Sequence, residues 1–329
     1  MGSGRKVGSG SYVYEEIRDW AKLPSGWAFE ECPGVAVNSK EQVYVLSRSV
    51  HPVTVFDSEG SFLTSWGEGL FTRPHFVLIG PDDSVYIVDD VGNKVCKFTP
   101  DGKLLFKIDR SDRPADTGYG RGVQKNVLRA GPPFNTPTGL ALSPEGDIYV
   151  SDGYGNARIH KFSADGTLLF SWGEPGSGPG EFKLPHGVVV DKSGLVYVSD
   201  RMNARMQVFN PQGKFITEWK EVRWPDNMCI DSQGTAYVAE VGAIYLLSGP
   251  NQPDFSRPPA RTSVRDLTGK ILAEWGEDDP TGTGKYYAPH GIAVDSQRSV
   301  YVSEVALSYT FGAAPKDWPA IRKYVRVGQ

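Results

Sequence analysis

One phrase recurs six times along this 329-residue chain, and no other property limits its fold as strongly. The clearest copies are TPTGLALSPEGDIYVSDGYGNARIHKFSADGTLLFSWGE and LPHGVVVDKSGLVYVSDRMNARMQVFNPQGKFITEW. Each holds short stretches of alternating apolar residues cut by Gly, Asp and Pro turns, which is the pattern of three or four antiparallel strands. One such unit cannot bury its apolar face alone, so six of them predict an all-β fold, a six-bladed β-propeller. Every copy opens on a proline. The residues that follow it are Gly34, His75, Thr138, His186, Asp226 and His290, and fourteen positions further on stand Arg48, Asp89, Asp152, Asp200, Glu240 and Glu304. The second and fifth copies carry Pro- and Arg-containing insertions, near Arg110 to Phe134 and Gly249 to Thr262, expected as loops over one face.

The sixth copy ends in IRKYVRV, which supplies only a third strand, while YVYEEIRDWA near the N-terminus resembles the missing fourth. Pairing the two closes the ring and removes exposed sheet edges. Residues 11–329 are therefore expected as one propeller domain, and residues 1–10, MGSGRKVGSG, as an added, disordered leader rather than a signal peptide. A formal charge of −4 gives no reason to expect a nucleic-acid partner, whose binding draws on clustered Lys and Arg, although local basic patches are compatible with it. No apolar run reaches membrane-spanning length. Cys32, Cys96 and Cys229 are odd in number and far apart, so they read as reduced thiols. That favours the cytoplasm, although an exported protein with a trimmed signal would leave the same sequence. The protein is expected to be a monomer.

His75, His186 and His290 share one repeat position in the second, fourth and sixth blades. A pseudo-sixfold axis would space them about 120° apart on the innermost strands. Three imidazoles with open coordination on the far side form the ligand set of a catalytic zinc, although imidazole also suits other divalent transition metals. His51 and His160 lie outside this register and read as structural. At the later position Arg48 stands where five blades have an acid. It reads either as the ion-pair partner of neighbouring carboxylates or as a fork for a substrate carboxylate. Arg201, directly after Asp200, offers the same two readings. Tyr154, two residues after Asp152, is placed to point toward the channel mouth.

The segments RPHFV, SDGYGNARI, LPHGVVVDKSGLVYVSDR and APHGIAVD together resemble the peptidyl-α-hydroxyglycine α-amidating lyases, which are propellers of NHL repeats. The resemblance runs from about Gly34 to the sixth blade. It implies a catalytic zinc on His75, His186 and His290, a catalytic tyrosine at Tyr154 and two arginines at Arg48 and Arg201. The implied reaction splits a carbinolamide C–N bond into an amide and glyoxylate, on a small-molecule or peptide substrate bearing an anionic oxygen. It also implies a calcium held partly by the carbonyls of Val35 and Val77. The family's aspartate after the third histidine is Gly291 in this chain, however, so a channel calcium is expected to be weak or missing. The family's disulfide is absent, with Gly155 following Tyr154, and its methionine two residues before the third histidine is Ala288. The competing functions are a metal-dependent hydrolase or lactonase in the same channel, and a non-catalytic NHL binding module.

Overall fold

The computed structural model describes residues 5–17, 19–120, 126–245, 253–276, 286–312, 314–315 and 318–327. The chain is an all-β, six-bladed propeller. Blade one pairs Gly34–Val37, Val43–Leu46, Val53–Phe56 and Phe62–Trp66 in order from the inside outward. The inner strands of blades two to six are Pro74–Ile79, Gly139–Leu142, Pro185–Val190, Pro225–Ile230 and Pro289–Val294. Among the described residues no helix is long and apolar enough to cross a membrane.

The second strand of every blade is buried along its whole length, as in Val196–Asp200 and Val300–Glu304. Strands covered on both faces read as continuous β-branched and aromatic runs, which is why VYV recurs there. The tyrosine of that run ties the strand to its own hairpin. Tyr197 donates to Asp191 at 3.1 Å and Tyr301 to Asp295 at 3.1 Å, while Asp191 also accepts the N–H groups of Ser193 and Leu195. The repeated aspartate is thus a turn-forming residue whose second oxygen fixes a core phenol.

The chain divides into two compact units. The first contains blades one, five and six. Its sixth blade has the strand order Lys6–Ser9, Tyr12–Ile17, Ile321–Arg326, Val300–Glu304, Pro289–Val294. The N-terminal strand Tyr12–Ile17 pairs antiparallel with the C-terminal strand Ile321–Arg326, the closure expected from the sequence. Tyr14 is fully buried and packs on Trp275 at 5.1 Å, and Glu16 accepts from Arg322 at 2.9 Å. The expectation of disorder up to residue 10 needs correction, because Lys6–Ser9 forms a hairpin with Tyr12–Ile17. Val7 packs into the same core as Tyr14, so the apolar side chain finds a place that composition alone does not reveal.

The second unit contains blades two, three and four. The described part of its insertion after blade two packs beneath blade three. The Ala115 N–H donates to the Phe134 carbonyl, and the Thr117 hydroxyl donates to the Gly155 carbonyl at 2.5 Å. Residues 249–252 of the fifth-copy insertion lie outside the described residues. Its expected end at Thr262 is revised, since Arg261–Arg265 is already the third strand of blade five.

Candidate functional site

In blades two, three, four and six the repeated acid is a clamp on the segment that delivers the inner strand. Asp89 accepts the backbone N–H groups of Thr72 and Arg73 at 2.7 and 2.9 Å, and Glu304 accepts those of Tyr287 and Ala288 at 2.9 and 3.1 Å. Asp152 accepts the Asn135 N–H, and Asp200 that of Lys183. All four carboxylates are buried. Burial pushes the pKa of Asp200 and of Glu304 upward. The opposing hydrogen bonds come from Asn203 and Arg205 at Asp200, while at Glu304 the Arg322 charge and backbone N–H groups oppose it.

The clamp is followed by a β-bulge at each of the three histidines. Pro74 pairs with Asp89 but Phe76 with Val88, so His75 is the extra residue. The same slip places His186 between the pairs Pro185–Asp200 and Gly187–Ser199, and His290 between Pro289–Glu304 and Gly291–Ser303. Bulges re-aim side chains and occur beside functional sites. In the second unit the His75 Nδ1 lies 2.8 Å from the carbonyl of Thr138, the corresponding residue of blade three. In the first unit His290 Nδ1 lies 2.6 Å from the carbonyl of Pro33. A ring N–H donated to a carbonyl leaves the other nitrogen as the lone-pair donor, the arrangement of a metal-binding imidazole.

Within the second unit, His75, His186, Tyr154 and Arg201 come together. The Tyr154 hydroxyl lies 3.0 Å from His75 Nε2 and 3.2 Å from His186 Nε2, and the two imidazole centroids are 5.0 Å apart. The Arg201 guanidinium lies 5.4 Å from the centre of the Tyr154 ring. Arg73, two residues before His75, lies 5.7 Å from the same ring and is paired with buried Asp90. Burial works against the Arg73 charge, but the Asp90 hydrogen bonds and charge outweigh it and raise its pKa. Sequence reasoning did not single out Arg73; its available signal was a cation immediately before the Pro-His pair.

The Tyr154 turn rests on a buried polar network. Gly155 N–H donates to the Asn135 carbonyl at 3.0 Å, Asn156 donates to Asp152 at 2.9 Å, and Asn135 donates to the Ala115 carbonyl at 2.9 Å. A Cβ on Gly155 would come within 2.2 Å of the Asn135 side chain, so no cysteine fits where the resembling family has one. His160 is buried between Ser171 and Asp152, and His51 stacks on Trp27 with centroids 3.3 Å apart. Both contacts are structural.

The first blade corrects the register read from the sequence. Gly34 pairs with Leu46, and both Gly187–Ser199 and Gly139–Ser151 are pairs of the same spacing. Pro33, not Gly34, therefore matches the histidines, and Ser47 matches the acids. Arg48 is one position further on, the equivalent of Arg201. Backbone bonds agree, since Arg48 N–H donates to the Glu31 carbonyl as Arg201 N–H does to that of Leu184. The apparent exception to the acid rule arose because the proline of blade one occupies the histidine position itself, one residue later than in the blades that carry histidine. Arg48 itself pairs with Glu31, its Nη1 lying 2.7 Å from the carboxylate.

Val35 and Val77, the candidate calcium ligands, sit in regular inner-strand pairs with Val45 and Ile87. A Cβ on Gly291 would approach the Gly34 Cα to 2.8 Å and the Ser303 hydroxyl to 2.5 Å, so a carboxylate has no room there. Cys32 next to Pro33 is buried, and burial, then the Glu31 charge, pushes its thiol pKa up, away from thiolate chemistry.

The NHL repeat profile matches residues 134–162 and 182–209, which lie in blades three and four. The chain is similar to human NHL repeat-containing protein 3, 32% identical over 217 residues that cover 62% of this chain and 57% of the relative. It is similar to peptidyl-α-hydroxyglycine α-amidating lyase 2 of Drosophila melanogaster, 27% identical over 267 residues covering 78% of this chain and 58% of the relative. The chain thus spans less than two thirds of either relative. A streptogramin B lyase structure superposes with a TM-score of 0.56 at 14% identity, covering 96% of this chain and 99% of that one. The chain is an NHL-repeat β-propeller, with peptidyl-α-hydroxyglycine amidating lyases among its homologues.

Proposed function

We propose that this protein is a metal-dependent lyase that cleaves the C–N bond of a carbinolamide, an N-acyl-α-hydroxyglycine or a related α-hydroxy compound. The observation that carries this reading is the Tyr154 hydroxyl set within hydrogen-bond reach of His75 and His186, with the Arg201 guanidinium beside its ring. His75, His186 and His290 would hold the metal, zinc by ligand type. Their shared bulge position supports this, as does the Nδ1-to-carbonyl contact of both His75 and His290. When bound, such an ion favours the anionic form of a nearby oxygen.

The side chains account for the remaining steps. Tyr154 takes the proton of the substrate hydroxyl, for which a cation beside the ring favours the phenolate form. The oxygen lone pair becomes the carbonyl π bond as the C–N bond breaks, and the nitrogen leaves as an amide after taking up a proton. The products are an amide and glyoxylate, with no water consumed. Arg48 and Arg201 orient the substrate through its oxygen atoms.

Elemental analysis of untagged protein tests the metal, with about one transition-metal ion per chain expected. The triple variant His75→Ala, His186→Ala, His290→Ala should bind none, and full occupancy in it would refute the site. Incubation of N-acetyl-α-hydroxyglycine in H₂¹⁸O separates the lyase from a hydrolase. A lyase forms acetamide without solvent oxygen, whereas ¹⁸O in the acyl product would refute the lyase.

A further inference from the structure

Arg48 is not a bare cation. Its Nη1 contacts the Glu31 carboxylate at 2.7 Å and the Ser308 hydroxyl at 3.1 Å, and Ser308 donates both its hydroxyl, at 2.7 Å, and its backbone N–H to the same carboxylate. The pair is largely buried, with side-chain exposures of 15% for Arg48 and 9% for Glu31. Ser308 belongs to the single helical turn Ala306–Tyr309 that follows the second strand of blade six. The Arg48 Nε is buried and meets no acceptor among the described residues. A buried N–H without an acceptor is costly, and a guanidinium whose charge is already matched by one carboxylate gains little from a second. A neutral carbonyl oxygen satisfies the N–H without adding charge.

We propose that Glu31 determines specificity by neutralising Arg48, so that this arginine receives a neutral carbonyl oxygen of the substrate and not a carboxylate. The proposal rests on the lyase reading, in which Arg48 faces the substrate. It is also supported by the equivalence of Arg48 and Arg201, since Arg201 stands beside Tyr154. Glu31 lies three residues before the first-blade glycine, outside every motif that drew attention in the sequence.

Two matched compounds test it, N-acetyl-α-hydroxyglycine and its primary amide, which differ in charge at one end. For Glu31→Gln the ratio of kcat/KM for the carboxylate to that for the amide should rise at least tenfold over the native protein. The double variant Glu31→Gln, Arg48→Met, which removes both charges, should lower both values together and leave the ratio within about twofold. An unchanged ratio in a folded Glu31→Gln protein overturns the proposal, as does a ratio that collapses in the double variant. Should Glu31→Gln fail to fold, Glu31→Ala removes the same charge and should move the ratio in the same direction; no change in it overturns the proposal equally. If the native protein turns over neither compound, the lyase reading fails. The ratio of their dissociation constants by calorimetry then decides the specificity claim by the same tenfold criterion.

Discussion

Tyr154 owes its position to neighbours that are not themselves chemical. Gly155 admits the Asn135 side chain, and Asn156 and His160 share the Asp152 carboxylate beneath the turn. The phenol oxygen points at His75 and His186. Tyr154→Phe is therefore expected to keep the melting temperature and the metal content of the native protein. It should lower turnover of an N-acyl-α-hydroxyglycine by roughly a hundredfold or more, the scale of a lost general base. Unchanged turnover would remove the tyrosine from the mechanism. The acid clamps work at the same scale. Each holds backbone N–H groups of the segment before the inner strand, and an orphaned buried N–H costs about 1–3 kcal/mol, which explains why the acid is present in blade three, which carries no histidine.

At the scale of elements, the closing strand concentrates much of the first unit's core at one seam. Tyr12–Ile17 brings Tyr14 against Trp275 and Glu16 against Arg322, which also binds Glu304. Removing residues 1–17 would leave Ile321–Arg326 as an open edge, with Arg322 short of one carboxylate partner. The truncated protein should unfold at a lower urea concentration than the native one and aggregate on refolding. An unchanged midpoint would show that the seam is dispensable. The bulges are the other decisive elements: one extra residue after Pro74, Pro185 and Pro289 turns a histidine away from the regular pleat. Blade one lacks that slip in its inner strand and presents Pro33, which accepts from His290.

For the whole molecule, a bound metal adds to folding stability by mass action, about 4 kcal/mol at a thousandfold excess over its Kd. Zinc added to metal-stripped protein should raise the melting temperature by several degrees. Calcium at millimolar concentration should not, because Gly291 lies against Gly34 and Ser303 and supplies no carboxylate. A calcium-dependent rise as large as that with zinc would contradict this account.

The repeat determined the class, the blade number, the ring closure and the positions of His75, His186 and His290. Each of these follows from strand periodicity and turn residues, which are local and recur in register. Only the tertiary structure decided that Lys6–Ser9 is ordered, because its order comes from a partner strand and a shared core. It also decided the register of the first blade. Counting from a proline assumes that the proline holds the same place in every copy, and in blade one it stands one position later, where other blades have histidine, so Arg48 moved from an exception among acids to the counterpart of Arg201. Arg73, Glu31 and Ser308 were beyond reach for a related reason. Their partners are Tyr154, Arg48 and Glu31, respectively 81, 17 and 277 residues away, and side-chain contacts made once, not in every blade, leave no periodic mark in a single sequence.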